Sequence, residues 1–343
     1  MFDNKIILIT GAAGTIGSAI THKIISLNPK KIILLDNSET ALFYLQQSLN
    51  NKISEKINVN FILENINNKK ALKEILKKNK IDFLFHAAAY KHVPVIEKNP
   101  IAGVLNNTIA TKNLADLAVK YKVSHFVFFS TDKAVNPSSV MGATKLMAEK
   151  YIDFIASKKL SKTSFLTIRF GNIINSNGSV IPLFKKQLEK NKTILLTNKE
   201  ASRYIITIDK VITLLLESIK IFKNGDLFLF DMGKAITVQQ MLNQAINELN
   251  LKNEEVVIKV VGLRPGEKLH EELLEESSKL LRTQHSEIFK IKTKQNLSQK
   301  KIKKVFKILL NNIKSNKEEE VIKTLKSFLK NYKSLNSKFQ SLD

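Results

Sequence analysis

Cysteine and tryptophan are absent from the 343 residues. Without cysteine there are no disulfides and no thiolate metal sites, and a reducing compartment, the cytoplasm, is the simplest expectation. Long apolar runs are missing too. The longest, such as 5–10 and 31–35, are strand-sized, far below the roughly 18 residues a membrane helix needs. The N-terminus enters a strand almost at once, so no signal peptide and no membrane span are expected. Glycine and proline are scarce, at 11 and 6. Arginine is scarcer: only Arg169, Arg203, Arg264 and Arg282 among 55 basic residues. Where lysine is the default, a retained arginine suggests a need for its planar fork, which grips phosphate bidentately.

What is abundant is lysine. The formal net charge is +24, which raises a nucleic-acid reading. The lysines, however, spread along the whole chain beside abundant Asn and Ile. That pattern reads as compositional bias and a solvated basic surface, and no nucleic-acid partner is expected. Hydrophobic residues make up 43%, enough for a sizeable core.

Through residue 175, short apolar runs alternate with longer amphipathic stretches. Strands are predicted at 5–10, 31–36, 58–63, 82–86, 125–131 and 164–170, with helices at 15–27, 69–79, 105–121 and 138–158. This alternation implies an α/β fold, a Rossmann-type doubly wound parallel sheet, with a smaller helix-rich substrate domain. Residues 1–175 are assigned to the sheet domain, with 207–232 returning to it through a helix and the strand 226–230. Residues 176–206 and 233–343 are assigned to the substrate domain and C-terminal helices. Ile302, Val305, Phe306 and Leu309 keep helical spacing and read as part of surface helices.

Residues 10–17 read Thr-Gly-Ala-Ala-Gly-Thr-Ile-Gly directly after the first strand, and three of the 11 glycines fall there. Gly11 permits a tight turn, Gly14 lets backbone approach a pyrophosphate, and Gly17 lets the helix pack on the strand. Asp36 ends the second strand. A carboxylate there accepts ribose hydroxyls and repels a 2′-phosphate, which favours NAD over NADP; an ordinary helix cap is the competing role. The small residues Ala87, Ala88 and Ala89 would let the cofactor lie against the sheet edge.

The fifth strand runs into Ser130-Thr131-Asp132-Lys133, at the end of the sheet where ligands bind. Met141 and Lys145 follow, four apart and so on one helix face. These segments resemble the extended short-chain dehydrogenases. More narrowly, 86–94 (His-Ala-Ala-Ala-Tyr-Lys-His-Val-Pro), 130–137, 169–172 (Arg-Phe-Gly-Asn), 178–184 and 262–268 (Gly-Leu-Arg-Pro-Gly-Glu-Lys) resemble bacterial polysaccharide-biosynthesis UDP-N-acetylglucosamine 4,6-dehydratases. The likeness runs from residue 5 to about 290. It is to the catalytic part alone, without the N-terminal membrane region that many members carry. Most short-chain dehydrogenases place Tyr where this chain has Met141, and none of its six Tyr has Lys four residues on. A subgroup of these dehydratases resembles this chain in having Met there.

The resemblance implies oxidation at carbon 4 of the hexose, elimination of water across carbons 5 and 6, and hydride return to carbon 6. It implies a catalytic set of Thr131, Asp132, Lys133, Met141 and Lys145. Asp132 would take the carbon-4 hydroxyl proton and pass it to the leaving carbon-6 hydroxyl, and Lys133 would remove and return the carbon-5 proton. Thr131 would bond the carbon-4 oxygen, Lys145 would hold the nicotinamide ribose, and Met141 would pack beside the nicotinamide or sugar. It implies further NAD contacts from Gly11, Ala13, Gly14, Thr15, Ile16, Gly17, Asp36, Asn37, Ser38, Asn65, Ile66, Ala87, Ala88, Ala89 and Asn107. The UDP-sugar would meet Lys91, His92, Asn172, Ser179, Val180, Arg203, Arg264 and Glu267, with the two arginines on the diphosphate. The 262–268 segment is more similar to the branch that retains configuration at carbon 5. Relatives are commonly homo-oligomers packed through helices beside the active site. The histidines show no metal-ligand spacing, and no metal is expected. A UDP-sugar 4-epimerase shares the fold, the cofactor and the first step but needs no carbon-5 base. A non-catalytic NAD-binding regulator is the reading that Met141 would motivate.

Overall fold

Neither face of the first strand, β1 (Ile6–Thr10), carries charge, and both are covered in the computed structural model, which describes all residues except 51, 159–160, 177, 250, 252–255 and 293–297. Leu8 enters one core with Leu84 and Phe128; Ile7 and Ile9 enter the other with Phe85 and Val127. This two-sided burial marks a parallel sheet between helix layers. The strands are β1, β2 (Lys31–Asp36), β3 (Asn58–Leu63), β4 (Phe83–His86), β5 (His125–Phe129), β6 (Ser164–Arg169) and β7 (Asp226–Phe230). They lie parallel in the order β3-β2-β1-β4-β5-β6-β7. The order reverses between β1 and β4, which opens a crevice at their carboxyl ends.

Helices α1 (Thr15–Ile25) and α2 (Glu39–Leu49) cover one face; α3 (Lys69–Lys78), α4 (Ala110–Lys120) and α5 (Val140–Ala156) cover the other. The predicted doubly wound α/β architecture is what the chain adopts. Two local differences have physical causes. The fifth strand stops at Phe129, not 131, because the Thr131 side chain caps a tight turn over Asp132–Ala134. The helix predicted from 105 is preceded by short helical turns at Val93–Lys98 and Pro100–Gly103 and a wide π-turn over Val104–Ile109, which carries Asn106 and Asn107 into the interior.

A smaller core lies beyond the sheet. It joins α6 (Val180–Asn191) to the segment 194–201 and then, after α7 (Ile208–Ile221) has packed back on the sheet with α1, to α8 (Val238–Glu248). Ile181, Phe184 and Leu188 meet Met241, Leu242 and Ala245 there.

Within 233–343, assigned to the substrate domain and C-terminal helices, a hairpin belongs instead to the main sheet, and the helices pack on the main domain. The hairpin β8 (Lys279–Arg282) and β9 (Ile288–Lys292) extends the main sheet, with Phe230 opposite Ile288 and both pairings antiparallel. Helices α9 (Gln299–Lys314) and α10 (Glu318–Phe328) pack on the main domain, where Ile302, Val305, Phe306 and Leu309 share a core with α4 and α5. Helical spacing announces a buried face but not its partner, and an antiparallel strand added late has no helix crossover to reveal it. With α9 and α10 in place, every residue from Val140 to Glu149 is buried.

Phe306 meets the Tyr151 ring edge-on at 4.9 Å between centroids. Phe306→Ala is therefore expected to lower stability by about 3–5 kcal/mol. A loss of unfolding free energy in urea below about 0.5 kcal/mol would show that α9 is not part of the main core.

Candidate active site

The crevice at the strand ends is a cleft of about 770 Å³ between the main sheet and the smaller lobe. Gly11, Gly14, Thr15, Ile16 and Gly17 form its floor at one end. Gly11 has φ +66, and a Cβ there would sit 2.5 Å from Ala88 N; one on Gly17 would sit 2.1 Å from Gly11 O. Gly14 precedes α1 with no side chain capping the helix. A bare, uncapped helix N-terminus beneath a close-packed glycine turn fits a dinucleotide pyrophosphate.

Asp36 faces this turn. Its carboxylate accepts from Ala13 N at 2.9 Å and from Ser38 N at 3.0 Å, so it ties the turn to the end of β2. Ribose hydroxyls would use its remaining lone pairs. Other residues expected at the cofactor stand back from the cleft wall. Ser38 caps α2, Asn37 is exposed, Asn65 closes its own turn to Asn67, and Ile66 belongs to the core. Ala87 and Ala89 line the cleft, whereas Ala88 packs on Gly11. Asn107 clamps Tyr90 through both its N–H and its carbonyl, at 2.8 and 2.9 Å, and donates to Thr144 Oγ1 at 3.0 Å. It fixes the exit of β4 against α5.

At the end of β5, Ser130, Thr131 and Lys133 line the cleft, with Met141 and Lys145 on α5 opposite. Asp132 lies behind them with its side chain wholly buried. Its Oδ1 accepts from Thr131 Oγ1 at 2.8 Å, Lys133 N at 2.9 Å and Lys133 Nζ at 3.0 Å; its Oδ2 is buried without a partner among the described residues. The acid expected to meet the sugar directly is thus reached through Thr131. Lys133 Nζ also touches Asn172 Oδ1 at 3.0 Å and Glu271 Oε1 at 3.3 Å. Burial pulls the Lys133 pKa down, but the carboxylates of Asp132 and Glu271 outweigh it and hold the ammonium above its ordinary range. Lys145 donates to Phe129 O at 2.6 Å and lies 4.1 Å above the Phe128 ring. Burial brings it down to about 7, against the pull of Glu149.

The eight residues expected at the sugar nucleotide, Lys91, His92, Asn172, Ser179, Val180, Arg203, Arg264 and Glu267, all border this cleft. His92 packs on Gly178, where a Cβ would come within 2.6 Å of its ring. Arg203 is pinned: Nη2 reaches Glu267 Oε1 at 2.7 Å and Nη1 donates to the carbonyls of Ser202 and Leu269. Glu267 also accepts from Arg264 N at 3.1 Å, which leaves the exposed Arg264 side chain at the cleft rim.

Three features escape motif reading. Ser130 Oγ is buried at the cleft without a partner among the described residues. Arg169 pairs bidentately with Glu149 at 2.8 and 2.5 Å, buried behind Lys145; the signal was Glu149 four residues beyond Lys145, on the same helix face. Glu271 lies three residues past the motif that ends at Lys268.

His86 is no ligand but a buried link between Thr10 Oγ1 at 2.7 Å and Thr111 Oγ1 at 2.8 Å. Burial, then the nearby Lys145, lowers its pKa from 6.5 to about 3. Between those values the unfolded chain binds a proton that the native chain refuses, so stability present above pH 6.5 is lost as pH falls towards 3. The melting temperature is expected to fall more steeply with acid in the unaltered protein than in His86→Gln. Equal slopes would contradict this assignment.

A family profile described as polysaccharide biosynthesis protein matches residues 7–293. The capsular polysaccharide biosynthesis protein CapD of Staphylococcus aureus is 42% identical over 271 residues, 79% of this chain. The match takes in only 45% of the staphylococcal protein, so this chain corresponds to about half of it. A UDP-glucose 4-epimerase of Rickettsia bellii is 31% identical, over 80% of this chain and 79% of its own length. A UDP-N-acetylglucosamine 4,6-dehydratase (inverting) of Campylobacter jejuni is 30% identical, over 79% and 78%. Among the described residues no helix is long and apolar enough to cross a membrane.

Proposed function

The chain belongs to the polysaccharide biosynthesis protein family, and from that premise we propose that it is an NAD-dependent UDP-N-acetylglucosamine 4,6-dehydratase, forming a UDP-4-keto-6-deoxy sugar for a surface polysaccharide or glycan. The observation that carries this reading is Lys133: an amine at the cleft wall, beside a buried acid, where an epimerase would need no base for carbon 5.

NAD, when bound on the glycine turn, supplies the oxidation at carbon 4 and its reversal at carbon 6. Thr131 stands between the cleft and Asp132, so the carbon-4 hydroxyl proton passes to Thr131 Oγ1 as the Thr131 proton crosses its hydrogen bond to Asp132 Oδ1, 2.8 Å between oxygens. Asp132 returns it by the same route to the departing carbon-6 oxygen, which leaves as water. Lys133 takes the carbon-5 proton and gives it back. One base acting from one side retains configuration at carbon 5, and Met141, whose thioether carries no proton, offers no donor on its side. Lys145 holds the ribose, and Asn172 steadies Lys133 at 3.0 Å. Arg203, its charge balanced by Glu267, and Arg264 at the rim receive the diphosphate.

A homo-oligomer would have to use surfaces other than that of α5, which α9 and α10 cover.

Incubation with NAD and UDP-N-acetylglucosamine tests the proposal by mass. A keto sugar lighter by one water supports it. An isomer of unchanged mass would show 4-epimerisation, the activity named for the Rickettsia relative. No turnover would favour a binding protein.

A further inference from the structure

Glu271 has no part in the reaction as set out so far, yet its placement is costly. The side chain is 4% exposed, and Oε2 is buried with no hydrogen-bond partner among the described residues. A buried carboxylate survives only with a counter-charge, and Lys133 Nζ is at 3.3 Å. Its position is built by the chain around it. Lys268 Nζ donates to Val135 O at 3.1 Å, Asn136 Nδ2 to Glu272 Oε2 at 2.6 Å, and Ser138 Oγ to Gly266 O at 2.9 Å. Gly266 makes this approach possible, since a Cβ there would lie 2.6 Å from Ser139 Cβ. The segment carrying Glu271 is thereby stapled, on both sides of that residue, to the loop that follows Lys133.

The proposed reaction sets a problem that this arrangement answers. Lys133 must be neutral to take the carbon-5 proton, yet it rests as an ammonium held by two carboxylates. Oxidation at carbon 4 protonates Asp132 and removes one of the two. The other remains.

We propose that Glu271 is the positioning residue of Lys133 and stores the proton that Lys133 must shed before it acts as a base. The inference rests on the dehydratase reading. In the step, an N–H bond of the Lys133 ammonium breaks and an O–H bond forms on Glu271 Oε1. The freed lone pair takes the carbon-5 proton. The carbon-5 electron pair forms the double bond to carbon 6 as the carbon-6 oxygen leaves with the proton from Asp132. When hydride reaches carbon 6, Lys133 returns its proton to carbon 5 and Glu271 returns its own to Lys133. No proton is gained or lost over the cycle. The second oxygen, Oε2, has no partner to resist this transfer.

The test is Glu271→Gln beside Glu271→Asp in the full chain with NAD and UDP-N-acetylglucosamine. Three readouts are followed: keto-sugar formation, the near-ultraviolet absorbance of reduced nicotinamide, and exchange of the carbon-5 hydrogen in D2O. Glu271→Gln is expected to oxidise the sugar and then stall. Reduced nicotinamide accumulates, and carbon-5 exchange and product formation fall about 10²-fold. Glu271→Asp, with its carboxylate drawn back, stalls less. Unchanged turnover in Glu271→Gln overturns the proposal, as does an equal loss of oxidation and exchange, which would mark a merely structural role. Should Glu271→Gln fail to fold, Glu271→Asp decides: a progress curve like that of the unaltered protein, without accumulated reduced nicotinamide, overturns it. An unaltered protein that forms no keto sugar contradicts the dehydratase function itself, and is recognised before any variant is compared.

Discussion

Lys133→Met is expected to lower keto-sugar formation by about 10²–10⁴-fold, the usual contribution of a positioned proton carrier. Methionine keeps much of the lysine volume at the cleft wall and removes the amine that touches both Asp132 and Glu271. Oxidation at carbon 4 needs Thr131 and Asp132 but not Lys133, so it should survive. The variant should therefore accumulate reduced nicotinamide and lose carbon-5 exchange, a split between steps that simple misfolding would not produce. The substitution also leaves two buried carboxylates without a cation. Part of any loss of stability then comes from their mutual repulsion, and a second change, Glu271→Gln, should restore it. Turnover in Lys133→Met within a few-fold of the unaltered protein would remove Lys133 from the chemistry.

Asp132→Asn is expected to cause a loss of similar size, about 10²–10⁴-fold, at the earlier step. The side chain is wholly buried and reaches the cleft through Thr131 Oγ1. Asparagine preserves the shape and can still accept at its carbonyl, but it cannot take a proton. Thr131→Val, which keeps the β-branch and loses the hydroxyl, should cost nearly as much, because the two residues stand in series. The double variant should then be little worse than either single one, since groups acting as a unit are not additive. Neither variant should accumulate reduced nicotinamide, which separates this pair from Lys133→Met. A Thr131→Val enzyme with near-normal turnover would mean that Asp132 reaches the sugar by another path.

The sequence made the sheet legible because its strands are apolar on both faces: Ile7, Leu8 and Ile9 leave no side for water, which only a helix-covered parallel sheet explains. The glycine turn was legible because Gly11 and Gly17 occupy places where no side chain fits. The cleft residues from Lys91 to Glu267 follow from the resemblance of short motifs to a known family, with the scarcity of arginine also marking Arg203 and Arg264. The rest depended on contacts distant in the chain. Glu271 meets Lys133 across more than a hundred residues, and a carboxylate in a run of glutamates looks like surface until its partner is known. Asp132 reads as an acid that meets the sugar directly, but the turn capped by Thr131 turns it inward. The resemblance places Asn107 at the cofactor, and only the π-turn shows its amide spent on Tyr90. The hydrophobic stripe of α9 showed that it packs, and nothing local said that its partner would be α5.

The proposed chemistry depends above all on Lys133 removing the carbon-5 proton of a sugar oxidised in this cleft. Proton NMR of the product formed from UDP-N-acetylglucosamine in D2O tests it most directly. The expected product is a 4-keto-6-deoxy sugar with unchanged carbon-5 configuration and solvent deuterium entering at carbon 5, and no deuterium there in Lys133→Met. A product whose carbon-5 hydrogen never exchanges, or a sugar altered at carbon 4 alone, would contradict it.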